Sequence, residues 1–222
     1  SGVSILETNK SNNFKYKENN IATYVSANAN LTSKVQMKIG MRMENVTTLG
    51  TNEGTSKENE NRYTKLFPTV FFKYIKNDKN SFSFSYGKRI NRPRFSDLNP
   101  FRYYINDNSY SEGNPFLQPS FTDSFELSHT YKRNLTSNAF VNVTTNGFGV
   151  VFTSYTNNQT QIITRENYFT QYNYGIIESF SFNKISWWQS QNSLNLLGYY
   201  SIFNKTFNAK PKNGMQVLVT SN

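Results

Sequence analysis

Hydrophobic and polar residues alternate with a period of two along most of this chain. The clearest stretch is 35–44, where Val35, Met37, Ile39, Met41 and Met43 alternate with Gln36, Lys38, Gly40, Arg42 and Glu44. Successive side chains of a strand point to opposite faces, so this order specifies a strand with one apolar and one polar face. Ile21, Val25, Ala27, Ala29 and Leu31 repeat it against Tyr24, Ser26, Asn28 and Asn30. Phe82, Phe84 and Tyr86 do so against Ser81, Ser83, Ser85 and Gly87, and Phe125, Leu127 and Tyr131 against Ser124, Glu126, Ser128 and Thr130. Less regular strands are expected at 135–144, 166–182, 187–203 and 215–220, while 66–75 is apolar on both faces. No apolar recurrence at i, i+3, i+4, i+7 is sustained, so helices are not expected. The sum is an all-β chain of about nine antiparallel strands.

The links between strands carry a second pattern. Short links at 32–34, 76–80, 132–134 and 183–186 alternate with long ones at 45–62, 91–120, 145–164 and 204–214. An up-and-down transmembrane β-barrel sorts its loops in this way, with tight turns on the periplasmic rim and long loops on the extracellular rim. Alternation by itself also fits the half-buried strands of a β-sandwich. Three features favour the barrel. Aromatic residues gather near strand ends, at Tyr63, Phe67, Tyr74, Trp187 and Trp188, where an interfacial girdle is expected. The strands are long enough to cross a bilayer on a tilt. The third feature is composition: of 222 residues only 36% are hydrophobic, too few for a sandwich core of this size, whereas a wet lumen needs one apolar residue in two along each strand.

Composition removes other classes. Aromatics make up 16% of the chain, which argues against disorder. No apolar run approaches the ~18 residues of a membrane helix. With no cysteine and one histidine, His129, there is no disulfide framework, thiolate site or cysteine nucleophile, and neither a metal nor a cofactor is expected. The net charge of +10 is spread over turns, loops and one strand face instead of a single stripe, so nucleic acid is not the expected partner. Lys34, Lys76, Lys79, Lys132, Arg133 and Lys184 fall in the short turns, and basic outer loops would meet lipopolysaccharide phosphates.

One ordered set of motifs is more specific. Tyr-Gly-Lys-Arg-Ile-Asn-Arg-Pro at 86–93 is followed by Asp-Leu-Asn-Pro-Phe at 97–101, Tyr-Ser-Glu-Gly-Asn-Pro-Phe-Leu-Gln-Pro at 110–119 and Phe-Glu-Leu-Ser at 125–128. Tyr-Lys-Glu-Asn at 16–19, Arg-Met-Glu-Asn at 42–45, Leu-Phe-Pro at 66–68 and Arg-Glu-Asn-Tyr at 165–168 flank it. Over roughly residues 14–200 the succession resembles the barrels of TonB-dependent outer-membrane receptors, in particular the outer-membrane β-barrel family common in Bacteroidetes. The resemblance implies a receptor of roughly 22 strands, its lumen closed by a plug and its uptake driven through the TonB complex. Its ligand would be a siderophore, a metal chelate or an oligosaccharide. About nine strands, with no visible plug, TonB-contacting box or signal peptide, make residues 1–222 an expected barrel segment. Such a segment would begin in an extracellular loop, stop in a strand and form a curved open sheet. Its expected partners are outer-membrane lipid and lipopolysaccharide, the rest of the barrel and the plug. A surface β-sandwich module that binds glycans is the alternative.

Within the segment, the turn-rich loop 91–120 is expected to be ordered and folded inward. Arg92, Phe95, Asp97, Asn99, Phe101, Tyr103, Tyr104, Tyr110, Glu112 and Asn114 are its candidate ligand or plug contacts. Lys38, Arg42, Glu44, Arg89 and Glu126 are candidate lumen residues. Enzymatic chemistry is not expected. His129 falls on an outward position with no Gly-x-Ser-x-Gly elbow elsewhere, and the carboxylates of 53–60 lack calcium-loop spacing and read as a solvated loop.

Overall fold

A computed structural model of the chain describes residues 13–53, 57–155, 160–185, 187–207 and 209–221. Nine long strands follow one another in an antiparallel meander: β1 (Phe14–Thr32), β2 (Val35–Asn52), β3 (Lys57–Asn77), β4 (Asn80–Asn91), β7 (Ser120–Tyr131), β8 (Leu135–Tyr155), β9 (Thr160–Ile185), β10 (Trp188–Phe203) and β11 (Lys212–Ser221). Between β4 and β7 the chain makes one helical turn, α1 (Phe95–Leu98), and a small hairpin of β5 (Tyr103–Asn106) and β6 (Ser109–Ser111). Among the described residues β1 and β11 do not pair with each other, so the sheet is open.

Register explains why these residues form one sheet with two unlike faces. Ala29, Met37, Phe72, Phe84, Leu127, Ala139, Ile176, Leu196 and Val217 stand side by side, one from each long strand, and all are apolar. One residue away along each strand the row reads Asn30, Gln36, Lys73, Ser83, Ser128, Asn138, Ile177, Asn195 and Leu218. A slip of one position in any strand would put its polar set on the apolar face, so the pattern fixes the pairing. Among the described residues no second layer covers the apolar face. Ile39, Met41 and Met43 are exposed, as are Phe84, Phe125, Leu127, Ile176 and Val217. A sandwich would bury them; here they form a lipid-facing wall, and the sandwich alternative falls.

The strands run further than the sequence suggests. The long links expected at 45–62 and 145–164 are mostly ladder, because β2 reaches Asn52 and pairs with β3 from Lys57, while β8 reaches Tyr155 and pairs with β9 from Thr160. Lys57–Glu60 belong to this extended hairpin and not to a solvated loop. The hairpins rise above the ten or so residues that cross the bilayer, where backbone pairing continues but no apolar face is demanded. Two girdle assignments also fail. Tyr63 and Phe67 lie on the polar face of β3, opposite Val46 and Arg42, and Phe67 is buried. Tyr74, Trp187 and Trp188 are exposed near the short-turn rim.

The core is correspondingly small and local. Among the described residues the buried apolar ones are Val46, Phe67, Leu98, Tyr110 and Leu117. All belong either to the polar face of β2–β3 or to the 91–120 loop packed on it, so close packing occurs where the loop meets the wall.

Candidate functional site

Pro93 has no amide to continue the ladder, and the chain leaves β4 there and turns inward. The motif residues then fold the loop on itself. Asp97 caps α1 by accepting a hydrogen bond from the Arg94 amide at 3.0 Å. The Asn99 side chain accepts from the Phe101 amide at 3.1 Å and the Asn114 side chain from the Phe116 amide at 2.9 Å, so each Asn-Pro pair is an Asx turn. The two turns are tied together. The Gly113 amide donates to the Asn99 carbonyl and the Asn114 amide to the Asp97 carbonyl, at 2.9 and 2.7 Å.

Both ends of this unit are fastened to the wall, on opposite sides of the mouth. On one side Phe95 packs against Phe14 of β1, Asn59 of β3 donates to the Pro115 carbonyl, and Asn61 donates to Gln118 at 2.8 Å. On the other side β6 adds a parallel strand to β9, pairing Ser109, Tyr110 and Ser111 with Gln161, Ile162 and Ile163. This covers the edge of β9 above Phe169, where β10 has already ended. Asn114 donates to the Arg165 carbonyl at 3.0 Å, and Asn167 links the Gln118 and Asn146 carbonyls. The loop is therefore ordered, and it lies across the polar side of the outer mouth.

Beneath it is a charged cluster. Glu44 is buried and bonds to Arg92, while Arg42 Nε stands 3.2 Å from its carboxylate. Arg92 Nε also approaches Glu18 at 3.5 Å. Although burial opposes the Arg92 charge, hydrogen bonds to Glu44 and Tyr63 hold the guanidinium even more firmly protonated than usual. Arg42 in turn lies over the Phe67 ring, 4.8 Å from its centroid. Tyr16, on the part of β1 above the bilayer, donates to Glu18 at 3.2 Å. Burial and the Glu18 charge push its phenol up to about 12. A second cluster orders the loop tip: Arg102 pairs with Glu112 at 2.9 Å and covers the Tyr110 ring. Glu112 raises the pKa of Arg102, and burial raises that of Tyr110.

The sequence candidates thus separate by environment. Arg92, Asp97, Asn99, Tyr110, Glu112 and Asn114 are engaged in holding the loop. Phe95, Tyr103 and Tyr104 are at least half exposed, and Phe101 stacks edge-on against Tyr103. Ile105 and Phe116 are exposed as well, at 61% and 69%; Phe116 is one of the loop aromatics of the 110–119 motif but not among the candidate contacts, and Ile105 carries no sequence signal. Lys38, Arg42, Glu44, Arg89 and Glu126 all fall on the polar face. Lys38, Arg89 and Glu126 line a shallow trough there with Tyr24, Phe140 and Asn142, and Glu126 accepts from Asn138 at 2.8 Å. Arg165, the cation that secures Asp97, was missed except as part of a flanking motif, since its partner is distant in sequence.

His129, Ser137 and Glu178 are neighbours on the outward face. The Ser137 hydroxyl donates to Glu178 at 2.7 Å, and His129 Nε2 pairs with Asn80 at 3.0 Å while its ring stacks on Phe82. No hydroxyl-to-imidazole pair is formed between them. Among the described residues no group of three His, Asp or Glu side chains could hold a metal.

Comparison with known proteins agrees with this architecture. The copper transporter OprC superposes with a TM-score of 0.63 at 10% identity, over 85% of this chain and 33% of that one. The siderophore receptor PirA from Pseudomonas aeruginosa gives 0.54 at 11% identity, over 91% of this chain and 50% of that one. The FrpB iron transporter from Neisseria meningitidis gives 0.53 at 13% identity, over 85% and 26%. The chain therefore spans between about a quarter and a half of the length of these structures. No curated protein matches its sequence. The outer membrane protein beta-barrel family matches residues 1–222, more than the 14–200 over which motifs are visible. With a lipid-facing wall, a polar inner face and rims of unequal loop length, the chain belongs to that family and resides in the bacterial outer membrane.

Proposed function

We propose that this chain is a wall segment of a TonB-dependent receptor that imports a siderophore, a metal chelate or an oligosaccharide. The observation that carries the reading is the inward-folded 91–120 loop, pinned to β1–β3 on one side and β9 on the other. A loop pinned at both ends gives a receptor the rigid surface it needs above a closed lumen. Phe95, Phe101, Tyr103, Tyr104 and Phe116 would make first contact with the ligand, as rigid aromatic surface does at low entropic cost. Lys38, Arg42, Arg89 and Glu126 would then line the path that opens when a plug, contributed by the rest of the receptor and pulled by the TonB complex, rearranges. Glu44 and Arg92 act as anchors at the top of that path. The segment is read as non-catalytic, because the His129 ring is occupied by Phe82 and Asn80 on the lipid side.

The test is uptake by cells that express the complete receptor, challenged with labelled ferric siderophores, copper chelates and oligosaccharides. One ligand class should accumulate, and the accumulation should stop when a protonophore collapses the proton gradient. Accumulation that persists with the protonophore, or none for any class, would reject energised import.

A further inference from the structure

The short-turn rim carries a charge pattern that the transport reading does not use. Lys34, Lys76, Lys79, Lys132 and Arg133 are all exposed there, and Asp78 is the acid among them. Among the described residues none of the five enters an ion pair. Backbone hydrogen bonds stitch the turns into one rail: the Ile75 amide donates to Lys34 at 2.8 Å, Lys132 to Lys79 at 2.6 Å, and Ser181 to Asn134 at 2.8 Å. Adjacent hairpins stand roughly 10 Å apart, two strand spacings, so the cations repel one another across about a Debye length.

A second observation is independent of charge. Lys132 and Arg133 have φ of 47° and 64°, and the Asn134 amide closes the turn on the Tyr131 carbonyl at 3.3 Å. Both central residues of this turn are left-handed, where glycine or asparagine would be relaxed. The chain instead places two long cations in the strained positions, and strain kept at a surface points to a role for the side chains. Lys132 Nζ lies over the Tyr131 ring at 5.1 Å, and Tyr74, Phe82 and Trp188 continue the aromatic border on the lipid-facing side. The Lys132 ammonium is thus held beside this aromatic border.

We propose that this rim binds the phosphates of anionic phospholipid in the periplasmic leaflet. The short-turn rim of such a barrel faces that leaflet. A row of unpaired cations beside interfacial aromatics complements a row of phosphodiesters, as juxtamembrane basic clusters do elsewhere. The inference needs only the membrane orientation, so it stands or falls separately from ligand import.

The test uses the complete outer-membrane protein in nanodiscs of phosphatidylethanolamine with phosphatidylglycerol, followed by gentle extraction and native mass spectrometry of the lipid retained. Wild-type protein should hold phosphatidylglycerol over phosphatidylethanolamine by roughly tenfold relative to the supplied mixture. The variant Lys79→Gln with Lys132→Asn and Arg133→Gly relaxes the turn, so it should fold at least as well, yet bring the ratio close to one. Equal retention by wild type, or undiminished retention by the variant, would overturn the proposal. Should the variant fail to insert, a salt wash of wild type decides: phosphate binding must weaken as salt rises, and salt-independent retention would refute it.

Discussion

Arg165 on β9 holds Asp97 in the single turn of α1, its Nη1 3.0 Å from the carboxylate, which is itself buried. Through this pair the short helix near β1 is tied to the far hairpin, so the loop spans the mouth as a strut. Arg94 is the other cation on Asp97, and it is mostly exposed.

Arg165→Ala should loosen the loop without unfolding the wall. A buried carboxylate losing its better partner costs roughly 1–3 kcal/mol, and that cost falls on the loop alone because opening is local. Amide hydrogen exchange at 95–118 is expected to rise by about tenfold or more, with β2 and β3 unchanged below Val46. Unchanged exchange in the loop, or a uniform rise across the sheet, would show that the strut does not depend on this pair.

The contrast between wall and strut follows the range of the forces involved. Val35 to Met43 announces its face because lipid on one side and water on the other act on every second residue. Beyond Glu44 that demand ends, and Asn45, Thr47 and Thr48 look like loop although their backbones remain paired with Thr64, Arg62 and Asn61. Tyr63 and Phe67 were open to a parity check: they are odd-numbered on a strand whose outward residues, Leu66, Phe72 and Tyr74, are even. Their aromatic character suggested a girdle, but Phe67 lies beneath Arg42 and against Phe121, and Tyr63 lies beside Arg92. The Asx turns at Asn99 and Asn114 were legible as turn chemistry. The closure of Asp97 on Arg165 was not, because nothing local records which distant strand a loop will cross.

The assignment of faces makes a sharp comparison possible. Met41 projects into lipid near the middle of the β2 span, whereas Ser85 of β4 lies on the polar face beside Glu126. Met41→Arg should cost about 2–4 kcal/mol in a bilayer, as a cation does at the lipid midplane of a barrel. Ser85→Arg should cost less than about 1 kcal/mol, since its charge meets water and a carboxylate. Urea midpoints of the full receptor refolded into vesicles would separate the two. Equal losses would mean that the faces are reversed or that both are wet.

At high pH the Tyr16 phenol becomes informative. An unfolded tyrosine ionises near 10, but in the folded protein burial and Glu18 move this one up to about 12. A raised pKa means that the folded state keeps its proton longer, so the stabilisation is complete below pH 10 and is lost as the pH rises through 12. Tyr16→Phe removes this dependence. The difference in stability between wild type and variant should therefore be constant below pH 10 and shift against wild type between pH 10 and 12. Parallel stability curves across that window would show that the Tyr16 hydroxyl is not coupled to folding.

At one point in the wall a backbone atom leaves room only for glycine. Gly175 of β9 lies on the polar face between Phe140 of β8 and Leu197 of β10. A Cβ there would come within 2.6 Å of the Leu196 carbonyl oxygen, 2.9 Å of Leu197 Cδ2 and 3.0 Å of Phe140 Cε1. The two side chains can turn aside, but the carbonyl belongs to the ladder. Gly175→Ala must therefore push β9 away from β10, at a cost of about 1–3 kcal/mol. Gly198 offers the control, because its Cβ would meet the Tyr174 ring at 2.6 Å with no backbone atom as close. Tyr174 faces lipid and can swing outward, so Gly198→Ala should be milder. Urea titrations of both variants in the same bilayer decide the matter: Gly175→Ala must be the more destabilised, and the reverse order would place the contact in side chains instead of the ladder.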